Sequence, residues 1–551
     1  MAVNNLSNRV FRTVLAIAVA SAVAACGGGD GPVTGAGGLG DSGGEPSGNP
    51  TGNPSGNPSG NPTDTTAPTA SLNIAAGALD KSQSVVIRFS ESMAIGTLQL
   101  GGDLAANAVP TWSATQSAND TLTLTPSGGS WPFGVALGLS VAASDLAGNA
   151  MAKVQTSYQA KLAFGAFPAA GTVFGQQDFS SNDSQQGLAN PTVRTLSAPA
   201  GNVIFSSTGT VFVADSNNNR IMLYGSTPSA TNEAALGFLG QPDGNSNVSG
   251  TTRVRYHFPR GLSAGGGRAA ITDTANNRVL IYPTLPLDLS VLPDVVVGQS
   301  DFTTSSTACG ATNFDSPSGS ALTEDGKLLV ADAAHNRVLI WNQVPITNGA
   351  APDLVLGQKD SSHCGANDDL QDGGNHVAPT ARTLNFPSGV WSDGQRVVVL
   401  DMLNQRALVW NTFPTSSFQP ADLVIGQKTF SARKANDDNQ DGAEDASASA
   451  RTLNFPNGGI AFNGVQLAIA DTGNHRVLIW NAFPTANFQP ADAVLGHAGF
   501  AGKAENDSDG DGNPDTPNGA VFSSPNGLGM HGDKLFVVDN GNHRVLVFSV
   551  P

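Results

Sequence analysis

The sequence has few positive charges and few charged residues of any kind. Among its 551 residues, Lys and Arg number 27 against 44 Asp and Glu, so the formal net charge is −17, and charged residues make up only 13%. An acidic chain repels phosphate backbones, so we expect no nucleic-acid partner. The surplus of carboxylates instead favours divalent cations. Glycine (65) and proline (33) are frequent, which is typical of short strands joined by turns rather than of helices.

A long apolar run is also missing, and there are only three cysteines. Arg9 and Arg12 precede an apolar segment at 14–25, which is too short to span a membrane and is typical of an export signal. The residues VAAC at 23–26 resemble the lipobox of bacterial lipoproteins, which implies cleavage after residue 25 and lipidation of Cys26. Gly27 then implies sorting to the outer membrane, on either its periplasmic or its surface face. The alternative is an ordinary secretory signal in which Cys26 is incidental.

Three further regions follow the signal peptide at 1–25. Residues 26–66 are rich in Gly, Pro, Asn and Ser and repeat the pattern SGNP, so they predict a disordered tether. In 67–160, SVVIRF, DTLTLT and VALGLSV predict short strands in a small antiparallel sandwich. RFSESM and SDLAGNAM in this region resemble the bacterial Ig-like domain of surface proteins. That resemblance implies a spacer, and the membrane is reached through the lipid anchor only.

From 161 to 551 the chain repeats one unit six times, and each unit carries an Asp five residues before an Arg. An apolar segment precedes each Asp and another follows each Arg, with four turn-forming residues between, which predicts a hairpin that brings the two side chains together. An aromatic residue four positions after each Arg predicts packing between repeats. The pairs are Asp215/Arg220, Asp273/Arg278, Asp332/Arg337, Asp401/Arg406, Asp471/Arg476 and Asp539/Arg544.

Two more motifs recur with the hairpin: a Pro-x-Gly turn before it and an apolar run ending in Gly-Gln or Gly-His after it. Together the three motifs resemble the NHL repeat, which implies an all-β fold in which an Ig-like sandwich is followed by a six-bladed β-propeller with four-stranded blades. The first Gly-Gln run, at 171–176, precedes the first hairpin, and no such run follows the last hairpin. We therefore expect this N-terminal strand to close the ring as the outermost strand of the last blade.

The late repeats carry acidic inserts before the Pro-x-Gly turn, with oxygen-bearing side chains at alternate positions. Alternate oxygens can wrap a loop around Ca²⁺, and a glycine follows where the loop must turn. The inserts resemble the calcium loops of thrombospondin type 3 repeats and dockerins, and the alternative is a solvated acidic loop. A third copy at 367–376 has Leu370 and His376 where ligands are expected. The expected structural Ca²⁺ ligands are Asp437, Asn439, Asp441 and Asp445 in one loop and Asp507, Asp509, Asp511 and Asp515 in the other.

Cys309 and Cys364 lie in equivalent loops of adjacent repeats, and an exported protein permits a disulfide between them. The alternative is two unpaired thiols. His335, His475 and His543 fall inside the hairpin turns and are interpreted as turn variants, and the remaining histidines show no metal-ligand spacing.

These features favour a lipid-anchored binding or scaffold protein whose propeller interacts with an unidentified protein or glycan, and no catalytic residue is assigned. Two alternatives stay open. One is a propeller enzyme, a lyase or lactone hydrolase with a metal in the central channel, which predicts polar residues from several blades at the channel mouth. The other is a purely structural envelope protein.

Overall fold

A computed structural model of the protein describes residues 64–226 and 230–550. The expected signal peptide, Cys26 and most of the expected tether lie outside these residues. Within the described ranges the strands form eight four-stranded sheets, accompanied by one short α-helix, α1 (Asp103–Ala106). The expected all-β fold is therefore confirmed. No helix in this part of the chain has the length and apolar character needed to cross a membrane.

The first two sheets share one apolar core that contains Val85, Ile87 and Trp131, and they form the N-terminal sandwich. The first sheet contains, in spatial order, β1 (Ala70–Leu72), β3 (Val85–Phe89), β6 (Thr121–Pro126) and β5 (Ala108–Ser113). The second contains β2 (Gly77–Leu79), β8 (Val154–Ala160), β7 (Leu137–Ala142) and β4 (Gln99–Gly101).

The expectation of a wholly antiparallel sandwich was wrong in one place, because β2 and β8 are parallel. Consecutive strands joined by tight turns must run in opposite directions, but these two are separated by most of the domain. The chain leaves the first sheet after β1 and lays β2 along β8, the strand that ends the domain.

The remaining six sheets are blades, numbered here in chain order. Blade 1 contains β10 (Ile204–Phe205), β11 (Thr210–Asp215), β12 (Arg220–Ser226) and β13 (Gly237–Leu239). Blade 2 contains β14 (Pro259–Gly265), β15 (Arg268–Asp273), β16 (Arg278–Tyr282) and β17 (Val295–Val297). Blade 3 contains β18 (Pro317–Leu322), β19 (Leu328–Asp332), β20 (Arg337–Trp341) and β21 (Leu354–Leu356).

The second half of the ring follows the same strand order. Blade 4 contains β22 (Pro387–Ser392), β23 (Val397–Asp401), β24 (Arg406–Trp410) and β25 (Leu423–Ile425). Blade 5 contains β26 (Ile460–Phe462), β27 (Leu467–Asp471), β28 (Arg476–Trp480) and β29 (Ala493–Leu495). Blade 6 contains β30 (Pro525–His531), β31 (Lys534–Asp539), β32 (Arg544–Ser549) and β9 (Thr172–Phe174).

Blade 6 takes its outermost strand from the N-terminal side of the propeller, as expected. Strand β9 pairs antiparallel with β32, with Phe174 opposite Val545. Apolar clusters also bridge neighbouring blades. Trp410 of blade 4, for example, packs in one cluster with Leu329 of blade 3. The aromatic residue after each Arg thus contributes to packing between blades.

The hairpin in each blade places Asp and Arg opposite each other. In blade 4, Asp401 pairs with Arg406 across a one-turn 3₁₀ helix (Met402–Asn404), and Gln405 completes the turn at φ 56°. The equivalent residues of the other blades adopt the same left-handed conformation; of the six, three are Asn, one is Gln and two are His, and none is β-branched. The sequence favours a polar, unbranched side chain here because a β-branched one would clash.

Strand directions define two faces of the propeller. In each blade the Asp/Arg turn, the end of the fourth strand and the start of the first strand lie at the same edge of the sheet. All six connections between blades therefore gather on one side, called here the insert face. Each connection is called an insert and takes the number of the blade it enters: insert 4 is 359–386, insert 5 is 428–455 and insert 6 is 498–524.

The sandwich contacts the opposite face. The backbone N–H of Leu162 donates to Gln466 Oε1 (2.6 Å), and Gln466 Nε2 donates to the carbonyl oxygen of Leu162 (2.9 Å). Gln159 Nε2 donates to the carbonyl oxygen of Asn463, in the turn between the first two strands of blade 5. The sandwich and the inserts thus lie on different sides of the ring.

Candidate functional site

Buried ion pairs hold the inserts on the insert face. In blade 4, Arg406 Nε donates to Asp401 Oδ2 (2.8 Å), and both side chains are fully buried. The same guanidinium donates to the carbonyl oxygens of Thr380 (2.9 Å) and Thr383 (3.0 Å), near the end of insert 4. Its third nitrogen donates to the carbonyl oxygen of Phe430, near the start of insert 5. One arginine therefore fixes the insert that enters its blade and the insert that leaves it.

This arrangement recurs in all six blades. In blade 6, Arg544 donates to the carbonyl oxygen of Phe179, in the insert that leaves the blade after β9. Burial raises the pKa of Asp401, and the Arg406 guanidinium, the Asn404 amide and a backbone N–H oppose that rise. The aspartates of the repeat pairs were predicted to lie near their arginines, and the structure brings all six pairs together at 2.7–2.8 Å.

The residue before each Arg connects neighbouring blades. Its side chain accepts a backbone N–H from the residue before the Pro-x-Gly turn of the next blade, as Gln405 Oε1 does from Phe455 (2.6 Å). His475 Nδ1 accepts from Ser524 (2.9 Å) and His543 Nδ1 from Ala198 (2.8 Å) in the same way. Burial, with a smaller effect of His497, lowers the pKa of His475 to about 3, so its ring is neutral and accepts.

Insert 5 forms a compact acidic loop around Asp437. Its two carboxylate oxygens accept the backbone N–H groups of Asp441 (3.1 Å) and Gly442 (3.0 Å). Asp445 accepts the Asn439 amide (3.0 Å) and closes the loop onto the backbone N–H of Asp438 (2.8 Å). The hydrogen bonds of Asp437 and Asp445 therefore fold the expected Ca²⁺ loop of insert 5 onto its own backbone.

Insert 6 has the same form, with Asp509 at the position where insert 5 has Asn439. Asp507 accepts the backbone N–H groups of Gly510 (2.8 Å) and Gly512 (3.1 Å), and Asp515 accepts that of Ser508 (3.0 Å). Carboxylate oxygens of Asp507, Asp509 and Asp511 lie within 4.8 Å of one another. Three carboxylates at this separation repel one another, and a cation between them would remove the repulsion.

Amide pairs anchor the acidic loops to the blades, and sequence reasoning missed them. Asn436, just before Asp437, exchanges two side-chain hydrogen bonds of 2.8 Å with Asn474 in the hairpin turn of blade 5. Asn506 and Asn542 make the equivalent pair (3.2 and 2.8 Å) for insert 6. The signal was present as an Asn immediately before the first Asp of each acidic insert. Because of these pairs, the first carboxylate of each loop is buried and fixed.

Insert 4 brings His376 into its loop, a contact that the sequence interpretation also missed. His376 Nε2 lies 3.6 Å from Asp368 Oδ1 and 3.0 Å from Asp372 Oδ1. The spacing of these three residues is four and four along the chain, and only the curled loop brings them together.

Cys309 of insert 3 and Cys364 of insert 4 are joined by a disulfide, with Cα atoms 6.3 Å apart. The bond links two neighbouring inserts on the same face as the acidic loops. It adds a covalent restraint to the hydrogen bonds that the arginines make.

The central channel is narrow because backbone segments approach closely there. Gly201 has φ +77°, and a Cβ atom at this position would lie 1.9 Å from the carbonyl oxygen of Arg260. Arg260 of blade 2 is buried, and its guanidinium reaches Asn457 Oδ1 of blade 5, on the far side of the ring, at 3.1 Å. Burial lowers the pKa of Arg260 to about 10. Polar side chains from two facing blades therefore meet inside the channel.

No family model matches the chain, and no curated protein matches it. Among solved structures, it is similar to virginiamycin B lyase from Staphylococcus aureus, with 10% identity, a TM-score of 0.33, and coverage of 82% of this chain and 99% of the other. It is also similar to hydrazine synthase from Kuenenia stuttgartiensis, with 12% identity and a TM-score of 0.37, and to the WD40 repeats of RRP9, with 11% identity and a TM-score of 0.37. Each of these two matches covers 66% of this chain and 99% of the other. At these values the likeness carries no argument about activity, and the fold rests on the chain's own topology: an all-β sandwich followed by a closed six-bladed propeller.

Proposed function

We propose that the chain is a lipid-anchored protein of the bacterial outer membrane that binds a protein or a glycan through the insert face of an NHL-type propeller. One observation carries the proposal: all six inserts gather on one face and are fixed there by buried ion pairs, while the sandwich contacts the opposite face. Loops held by a rigid scaffold are the usual location of binding residues.

The sandwich would act as an Ig-like spacer. A chain anchored at Cys26 reaches the propeller through the sandwich, on the side of the ring away from the inserts. The insert face would then point away from the membrane, where a partner can approach it. A covalent lipid anchor needs no transmembrane segment.

Structural Ca²⁺ in inserts 5 and 6 would complete the binding face. Each loop presents oxygen ligands at alternate positions, which suits a cation that takes six to eight oxygens. The first carboxylates, Asp437 and Asp507, are buried and held by backbone N–H groups, so little ordering of these side chains would accompany binding. The ion would stiffen the loops rather than react, because no nucleophile has been assigned beside them.

The test is affinity capture from envelope extract with the purified full-length protein, in Ca²⁺ or in EDTA. The test variant, Asp509→Asn/Asp511→Asn, removes two charges from insert 6. The control variant, Asp533→Asn, removes a partly exposed charge on the opposite face. The proposal expects the same partner with the wild type and with Asp533→Asn in Ca²⁺, and weaker capture in EDTA or with the insert 6 variant. Equal capture under all conditions, or hydrolysis of a model lactone without any partner, would contradict it.

A further inference from the structure

The loop of insert 4 differs from those of inserts 5 and 6 at two ligand positions. Asp368 and Asp372 match the first and fifth positions of the other loops. The third position is Leu370 instead of Asn439 or Asp509, so a side-chain oxygen is lost. The ninth position is His376 instead of Asp445 or Asp515, so an imidazole nitrogen replaces a carboxylate.

The structure uses the ninth residue differently in the two kinds of loop. Asp445 and Asp515 accept the backbone N–H of the second loop residue, which closes the loop. His376 instead directs its Nε2 atom into the loop. This nitrogen and carboxylate oxygens of Asp368 and Asp372 all lie within 4.8 Å of one another. The replacement therefore converts a loop-closing residue into a third potential ligand.

The ligand types in this group do not suit Ca²⁺, but they suit a metal ion that binds both nitrogen and oxygen. Ca²⁺ requires six to eight oxygen ligands, whereas this loop offers two carboxylates and one nitrogen. Imidazole and carboxylate together suit Zn²⁺ and similar first-row ions. Bonds of about 2.0–2.1 Å in a tetrahedron separate neighbouring ligand atoms by about 3.3 Å. The distances from His376 Nε2 to the two carboxylates, 3.0 and 3.6 Å, lie on either side of that value.

The loop also holds its ligands in place. Asp368 is fully buried, and its oxygens accept the backbone N–H groups of Asp372 (3.1 Å) and Gly373 (2.8 Å). The preceding residue, Asn367, pairs with Asn404 of blade 4 as the equivalent residues do in inserts 5 and 6. His376 and Asp372 are partly exposed, so an ion and a water ligand can reach them. A buried carboxylate with two accessible partners is a suitable geometry for a metal that enters from solvent.

We propose that Asp368, Asp372 and His376 bind a divalent transition-metal ion of the Zn²⁺ type, with water as the remaining ligand. The propeller then carries two different kinds of metal loop on one face, oxygen-only loops in inserts 5 and 6 and a nitrogen-containing loop in insert 4. This proposal does not depend on a binding partner or on Ca²⁺ in the other inserts.

The test uses Co²⁺ as a spectroscopic probe and Zn²⁺ as its competitor, with the purified full-length protein stripped by EDTA. The wild type is expected to show the visible absorption of Co²⁺ with nitrogen and oxygen ligands, and one equivalent of Zn²⁺ is expected to remove it. His376→Asn should weaken Zn²⁺ binding at least tenfold and abolish the absorption. His363→Asn is the matched control, because His363 is a partly exposed loop histidine that is hydrogen-bonded to Asp360 outside the group (2.8 Å), and it should behave as the wild type does.

A second variant tests whether the imidazole itself is needed in a loop that keeps its acidic residues. Leu370→Asn/His376→Asp gives insert 4 the ligand set of insert 5; it keeps an acidic loop but removes the imidazole, so it should lose Zn²⁺ binding and the Co²⁺ absorption. The melting temperature of each variant without metal establishes that it folds. If His376→Asn does not fold, His376→Gln is used in its place. Absence of Zn²⁺ binding in the wild type, or binding that persists in His376→Asn or His376→Gln, would overturn the proposal.

Discussion

Replacing Arg406 by Met removes one of the six guanidinium groups that hold the inserts. The resulting loss in the free energy of unfolding can be estimated from the contacts that Arg406 makes. The substitution keeps an unbranched apolar side chain in a fully buried position, so lost packing is small. It removes the ion pair with Asp401 (2.8 Å) and the bonds to the carbonyl oxygens of Thr380, Thr383 and Phe430. Leaving one member of a buried pair without its partner costs about 3–5 kcal/mol. The freed carbonyl of Thr383 is buried and adds a further penalty, so we expect at least about 4 kcal/mol in total.

The assay is urea unfolding followed by tryptophan fluorescence, since Trp410 lies four residues from the substitution and is buried. The double variant Asp401→Asn/Arg406→Met removes both charges and should cost less than Arg406→Met alone. Arg268→Met, which breaks a partly exposed pair with Asp294, is the control and should cost less than about 1 kcal/mol. The reasoning is refuted if Arg406→Met costs no more than this control, or if the added Asp401→Asn change destabilises the protein further.

Three other perturbations have expected outcomes. Adding Ca²⁺ to the EDTA-treated protein at about 100 times its dissociation constant should stabilise it by about 2.7 kcal/mol per site, and Asp509→Asn/Asp511→Asn should reduce the shift in melting temperature; an unchanged melting temperature in the wild type contradicts this. Replacing Cys309 and Cys364 by Ser should cost about 2–4 kcal/mol in urea unfolding, and the variant should be insensitive to reductant. Because the pKa of His475 falls from 6.5 unfolded to about 3 folded, the unfolded state binds the extra proton between these values, so stability should fall by about 1.4 kcal/mol per pH unit as pH drops through this window. His475→Asn keeps a neutral acceptor and should lessen that loss, and identical pH profiles would contradict the assignment.

The repeats made much of the fold predictable. An Asp and an Arg five residues apart between apolar segments indicate a hairpin by local chemistry, and six copies with a displaced Gly-Gln run indicate a ring closed by its N-terminal strand. The structure bears out both, with β9 beside β32. The parallel pairing of β2 and β8 was not predictable in this way, because it depends on which sheet a strand joins across the whole domain.

Contacts between distant residues account for what the sequence did not show. The pairing of Asn436 with Asn474 joins an insert to a turn 38 residues away. An Asn recurs before the first Asp of each acidic insert, but only the folded blade shows which residue it pairs with. Gln466 meets the backbone of Leu162 across 304 residues. His376 was interpreted as a histidine in the place of an expected ligand and without metal-ligand spacing, because its approach to Asp368 and Asp372 depends on how the loop folds.

The central claim is that the insert face is the binding surface, and site-specific photo-cross-linking in cells tests it most directly. A photoreactive residue at Leu370 lies on the insert face, and one at Ile346 lies on the opposite face in blade 3; the native side chains are 75% and 80% exposed. The account predicts a cross-linked protein or glycan from position 370 that diminishes when Ca²⁺ is removed, and no corresponding product from position 346. Equal cross-linking from both positions, or cross-linking from 346 alone, would contradict it.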